Sequence, residues 1–127
     1  MELPIRLSKQ SREPFYHQME QQIKALIVSG QLPPKTSLPS IRALSKDLEV
    51  SVITTRRAYQ NLEYQGFIQT TQGKGTFVAE IESTLRETTQ HDIIHQAMQT
   101  AVQTAKQHKY TNKQILDLCQ QLIREEE

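Results

Sequence analysis

Two amphipathic helical runs, one starting around Pro39-Ser40 and one running from about Ser51 to Gln65, are separated only by Glu49-Val50-Ser51. A short helix, a tight turn and a longer helix must therefore follow one another. In the first run Ile41, Leu44 and Leu48 form an apolar stripe. In the second, Thr55, Ala58, Tyr59 and Leu62 lie on one side, Val50 packs at the start, and Gly66 ends the run as a C′ glycine does. Upstream, Pro14 reads as the first turn of another helix. Tyr16, Met19, Ile23 and Leu26-Ile27 recur there at helical spacing until Gly30. Pro33-Pro34 forces a loop up to Leu38, and the alternation of Leu3, Ile5 and Leu7 predicts a short strand at the start. Downstream, Phe67-Ile68-Gln69-Thr70 and Thr76-Phe77-Val78 flank Gln72-Gly73-Lys74-Gly75, which reads as a hairpin with a glycine-rich tip. Helix, helix, tight turn, helix, hairpin is the element order of a winged helix-turn-helix. The expected fold class is mainly α with a small β wing.

From Ile81 onward the texture changes, with Gln and Thr dominant and no Gly or Pro. Ile94, Met98, Ala101 and Ala105 step by 4, 3 and 4, a heptad-like seam. Tyr110-Thr111-Asn112 breaks it, and Thr111 with Gln114 forms a capping box for a last helix. On that helix Ile115, Cys119 and Leu122 make one apolar row, widened by Leu118 and Ile123. Two helices with apolar faces and no core of their own must bury those faces against something. A second copy of the chain is the expected partner, because a small winged domain leaves few free apolar surfaces. The expected organisation is a winged domain over 1–80 and a helical dimerisation tail over 81–127.

The 127 residues suffice for one small domain and an appendage, and 36% apolar residues allow a lean core. The longest apolar run, Ala25 to Val28, is far too short to cross a bilayer, and Met1-Glu2-Leu3-Pro4 does not read as a signal peptide. The expectation is a cytoplasmic protein with no membrane partner. One cysteine, Cys119, excludes an internal disulfide and reads as a small core residue, with a redox-sensitive disulfide between two copies as the alternative. Residues 1–80 carry 10 Lys/Arg against 7 Asp/Glu, whereas residues 81–127 carry 5 against 7. A basic front and an acidic tail suit nucleic-acid binding at one end and self-association at the other.

A helix-turn-helix leads into the major groove with the N-terminal end of its second helix. That end reads Ser51-Val52-Ile53-Thr54-Thr55-Arg56-Arg57, small and hydroxyl-bearing residues followed by two cations. The expectation is that Ser51 caps the helix and meets a phosphate, that Thr54 reaches a base edge or a phosphate, and that Val52 or Ile53 packs on a thymine methyl. Arg56 and Arg57 suit phosphates, contacts that position rather than specify. Arg42 sits near the start of the preceding helix, which crosses the DNA backbone. Lys74 stands at the hairpin tip, where Gly73 and Gly75 permit a tight turn and close backbone approach. The same Gly73-Lys74-Gly75-Thr76 is no P-loop, since the earlier glycine and the following helix are both missing.

Taken together these residues resemble the GntR family of bacterial regulators, in its short YtrA-like form. The resemblance is carried by Pro14-Phe15-Tyr16-His17-Gln18-Met19, Ile27-Val28-Ser29-Gly30 and Leu38-Pro39-Ser40-Ile41-Arg42. It continues through Val50 to Tyr59 and the wing runs Gly66-Phe67-Ile68 and Gly73 to Val78, covering roughly residues 3–79. It implies a dimeric regulator, often a repressor, bound to a palindromic operator through Arg42, Ser51, Val52, Thr54, Arg56 and Gly73. Valine stands at position 52 where many members have an arginine that reads guanine, so that base preference does not transfer. Glu49 and Lys35 stand where many relatives have glycine, which puts the shapes of the turn and the loop in question. The resemblance also implies that the tail, too short for the family's larger metabolite-binding domain, serves dimerisation.

Three rival readings remain at the level of sequence. A nonspecific or adaptor winged module would rely on phosphates alone. An enzyme would need a nucleophile, base and orienting partner, and these residues assemble none, so no catalytic residue and no cofactor is expected. A metal sensor would use His91 and His95, one helical turn apart beside Asp92, but a two-His site needs further ligands and none is obvious, so no metal is assigned. No effector is identifiable.

Overall fold

The computed structural model describes residues 2–127. In chain order the elements are α1 (Phe15–Val28), α2 (Ile41–Leu48), α3 (Val52–Tyr64), β1 (Ile68–Thr71), β2 (Gly75–Val78), α4 (Ser83–Gln107) and α5 (Asn112–Glu126). The described chain up to Gln90 forms one compact unit and His91–Glu127 a second.

In the first unit α3 packs against both α1 and α2. Met19, Ile23 and Ile27 from α1, Leu44 from α2, Ala58 and Leu62 from α3, and Phe67, Ile68 and Val78 from the hairpin make the core. Those on the helices are the apolar positions that helical spacing selects. Ser40 caps α2 by accepting from the Ala43 amide, and Ser51 caps α3 by accepting from the Thr54 amide. Pro14 stands one place earlier than expected, as the N-cap of α1 rather than within its first turn.

β1 and β2 pair antiparallel with Ile68 opposite Val78 and Thr71 opposite Gly75. Gln72, Gly73 and Lys74 form the connection, closed by the Lys74 amide donating to the Thr71 carbonyl at 2.9 Å. Gly73 and Gly75 take φ +79° and +112°, values that side chains with a Cβ resist, so the glycines set the tightness of this tip. The stretch from Lys35 to Leu38 is more than a loop. Its amides at 35 and 38 donate to the carbonyls of Val78 and Thr76, and the Val78 amide donates back to Thr36. Ser37 and Phe77 form an antiparallel bridge, so the wing has a third, minimal strand-like edge.

The strand expected over 3–7 does not form. Leu3 and Ile5 are buried, as their alternation required, but no strand lies beside them. Two glutamines on successive turns of α1 take the strand's place. Gln22 accepts from the Arg6 amide at 2.9 Å and donates to the Arg6 carbonyl at 2.7 Å. Gln18 does the same for Ser8, at 2.8 and 3.0 Å, and also donates to the Glu13 carbonyl. A side-chain amide offers the same donor and acceptor pair as a peptide group. The four-residue separation of Gln18 and Gln22 along the helix nearly matches a two-residue step of extended chain, roughly 6 Å against 6.6 Å, so the two sets align.

α4 begins at Ser83, and its first turns are tied to α1. Arg86 donates to the carbonyls of Ile27 and Val28, and Gln90 donates to Val28 at 2.7 Å. These bonds satisfy carbonyls at the end of α1 that have no partner within the helix.

In the second unit the rest of α4 and α5 face one another across Lys109, which has φ +66°. The Thr111–Gln114 capping box forms as the sequence suggested, with both reciprocal hydrogen bonds in place. No helix in the described residues is long and apolar enough to cross a membrane.

Candidate nucleic-acid interface

Polar contacts as well as apolar packing tie α3 to its neighbours. Ser45 donates to the Thr55 hydroxyl at 2.7 Å, and Thr55 is wholly buried. The Tyr59 hydroxyl donates to the Pro39 carbonyl at 2.6 Å, tying the middle of α3 to the residue before the α2 cap. Burial of that phenol pushes its pKa up, because the charged form would lose its hydration, so it stays a donor. On the far side, Asn61 donates to buried Glu20 of α1 at 3.2 Å. These bonds hold the buried face of α3, and the opposite face of its first turns is presented outward.

That outward face carries the residues the sequence singled out. Ser51 is exposed, and its Oγ both caps the Thr54 amide at 3.0 Å and lies 2.8 Å from the Thr54 hydroxyl. Val52 and Thr54 are half-buried. Ile53 is 76% exposed, a large apolar side chain with no partner in the core. Arg56 and Arg57 are exposed on the next turn, Arg42 on the first turn of α2, and Gly73 and Lys74 at the hairpin tip. Among the described residues the ion pairs are His17–Glu13 and His91–Asp92, so none of these cations is neutralised by a carboxylate. Arg57 differs from Arg56 in one respect: its guanidinium lies over the Tyr16 ring of α1, 3.8 Å from the centroid.

The wing is anchored where it leaves α3. The Phe67 amide donates to the Leu62 carbonyl, and Thr70 bonds both Glu63 and Thr76. The tip therefore projects from a fixed base.

The tail residues fall into two groups. Met98, Ala101, Ala105, Ile115, Leu118, Cys119 and Leu122 line one apolar groove of about 360 Å³ between α4 and α5, together with Ala97, Val102 and Ile123. Ile94 does not join them and stands 58% exposed. Cys119 is half-buried in that groove, not in a closed core, because two helices alone cannot enclose a side chain. His91 and His95 stack with ring centroids 5.9 Å apart on exposed α4, and among the described residues no cluster of three potential metal ligands forms.

The sequence reading missed three features. Tyr16 read only as a helix position, since nothing local announces a distant arginine. The pairing of Lys35–Leu38 with β2 was hidden because four residues after two prolines carry no usable periodicity. Ala97 and Val102 flank the Met98 and Ala101 seam, and the small side chain at 97 gave little signal.

A short helix, a capped helix presenting its N-terminal half, and a hairpin wing define the winged helix-turn-helix regulators. Within that class, residues 15–78 match the bacterial regulatory proteins, gntR family, and the chain belongs to that family. Its members are transcription regulators and not enzymes. Among curated relatives, the HTH-type transcriptional repressor YtrA of Bacillus subtilis is 37% identical over 76 residues, covering 60% of this chain and 58% of YtrA. The chain thus spans under two-thirds of that relative's length. A GntR family transcriptional regulator from Listeria monocytogenes superposes with a TM-score of 0.70 at 27% identity, covering 87% of this chain and 96% of that one. The DNA-binding domain of AraR, solved in complex with operator ORX1, superposes with a TM-score of 0.51 at 34% identity. That match covers 62% of this chain and 92% of AraR's domain.

Proposed function

We propose that this chain is a cytoplasmic, sequence-specific transcription repressor that binds a palindromic operator as a homodimer. The observation that carries the reading is the outward face of α3, where exposed Ile53 and unpaired Arg56 and Arg57 flank the Ser51–Thr54 hydroxyl pair. An exposed isoleucine is costly in water but finds a thymine methyl in the major groove. Unpaired arginines release counterions when they meet phosphates. In this reading α3 enters the major groove, Arg42 approaches the backbone from α2, and Gly73-Lys74 at the wing tip touches a phosphate or the minor groove. The AraR DNA-binding domain, which shares this fold, is solved in complex with an operator, which supports DNA binding by the winged unit.

The tail supplies the second copy. The apolar groove of α4 and α5, with Met98 and Leu122 both more than half exposed, supports a self-complementary contact. Pairing there brings two recognition helices to half-sites about one helical turn apart. The bound dimer then obstructs polymerase at the regulated promoter.

Arg56→Ala tests the docking. Binding should weaken on all sequences, and the slope of log K against log salt should fall by about 0.9, one phosphate contact. Fluorescence anisotropy across a salt series measures both, and an unchanged slope would place Arg56 away from the backbone.

A further inference from the structure

We infer that Tyr16 is a positioning residue for DNA binding: its ring holds the Arg57 guanidinium flat, with the N–H edge free to take a phosphate. The inference rests on the proposed docking of α3. Arg57 lies with Cζ 3.8 Å from the Tyr16 centroid, well inside the range of roughly 6 Å over which a ring face attracts a cation. The two residues sit on different helices, α1 and α3, so the contact restrains Arg57 from outside its own helix.

Stacking uses the face of a guanidinium and leaves its in-plane donors unused. Among the described residues no carboxylate pairs with Arg57, so those donors are not spent on an acid. An arginine side chain loses much rotamer freedom when it is fixed on a phosphate. Tyr16 removes part of that freedom before DNA arrives, which favours binding without adding any contact to DNA. Arg56, one residue away and exposed, has no such platform and serves as the internal comparison.

The test uses the full chain and a mixed-sequence duplex of about 30 base pairs, long enough for two half-sites, because the phosphate contribution is independent of sequence. Wild type, Tyr16→Phe, Tyr16→Leu, Arg57→Ala and Tyr16→Leu/Arg57→Ala are titrated across a salt series. Tyr16→Phe keeps the ring face and should bind like wild type. Arg57→Ala should lower the salt slope by about 0.9. Tyr16→Leu should weaken binding roughly 3- to 10-fold and reduce the slope in the same direction. In the Arg57→Ala background, Tyr16→Leu should then cost nothing further.

Equal losses from Tyr16→Leu in both backgrounds would overturn the inference, since the ring would then serve α1 packing alone. An unchanged slope in Arg57→Ala would overturn it as well. If Tyr16→Leu fails to fold, 3,4,5-trifluorophenylalanine at position 16 keeps the ring shape and weakens its negative face. It should bind less tightly than Tyr16→Phe, and equal binding would contradict the inference. Failure of the docking itself looks different: Arg56→Ala would then leave the slope unchanged too.

Discussion

Glu49 and Lys35 carry left-handed backbone, φ +57° and +72°, without being glycine. Glu49 closes α2 and starts the tight turn, with its amide donating to the Lys46 carbonyl and the next amide, of Val50, donating to the Ser45 carbonyl. The turn therefore keeps a left-handed residue where many family members place glycine, and the chain accepts local strain there. A Cβ in this region costs about 1–2 kcal/mol, partly offset in a glycine variant by a more flexible unfolded chain. Glu49→Gly should thus stabilise the protein by about 0.5–1 kcal/mol, read as a higher urea midpoint at unchanged m-value. A midpoint that stays level or falls would mean that the turn is not strained. The exposure of the side chains on the first turns of α3 was readable one by one, because caps, cations and an apolar residue out of phase with the core each carry a local signature. Tyr16 was not, since its role depends on a partner on another helix.

The elements were readable where a period fixes them. The helices follow from apolar spacing, with Ser51 and Thr111 as caps, except that the seam from Ile94 to Ala105 does not announce the turns of α4 that begin at Ser83. The hairpin follows from Gly73 and Gly75. Alternation at Leu3, Ile5 and Leu7 misled because it reports which side is buried and not what the backbone bonds to, and here the partners are Gln18 and Gln22. The polar tie between α2 and α3 could not be read at all, because it rests on Ser45 meeting Thr55 inside the core. Ser45→Ala would leave the buried Thr55 hydroxyl short of a partner and should cost about 1–3 kcal/mol by chemical denaturation. Ser45→Ala/Thr55→Val removes both polar groups and should recover most of that loss. A double variant as unstable as the single one would show that lost packing, and not the unpaired hydroxyl, carries the cost.

At the scale of the molecule, two needs remain unmet within one chain: an apolar groove on the tail and a charged face on the winged unit. The groove's residues were largely readable from the seam and from the row on the last helix, whereas the exclusion of Ile94 depends on how α4 and α5 face one another. Leu118→Glu puts a charge into that groove and should convert dimer to monomer in analytical ultracentrifugation, while the circular-dichroism spectrum stays helical. A dimer that survives the substitution would move the interface elsewhere. The most direct test of the central claim is selection of bound fragments from a random duplex pool by the full chain at near-physiological salt. The account predicts enrichment of one inverted repeat with half-site centres about one helical turn, or a multiple of it, apart. A pool that binds with strong salt dependence but enriches no sequence would contradict it and would leave a winged module that grips phosphates alone.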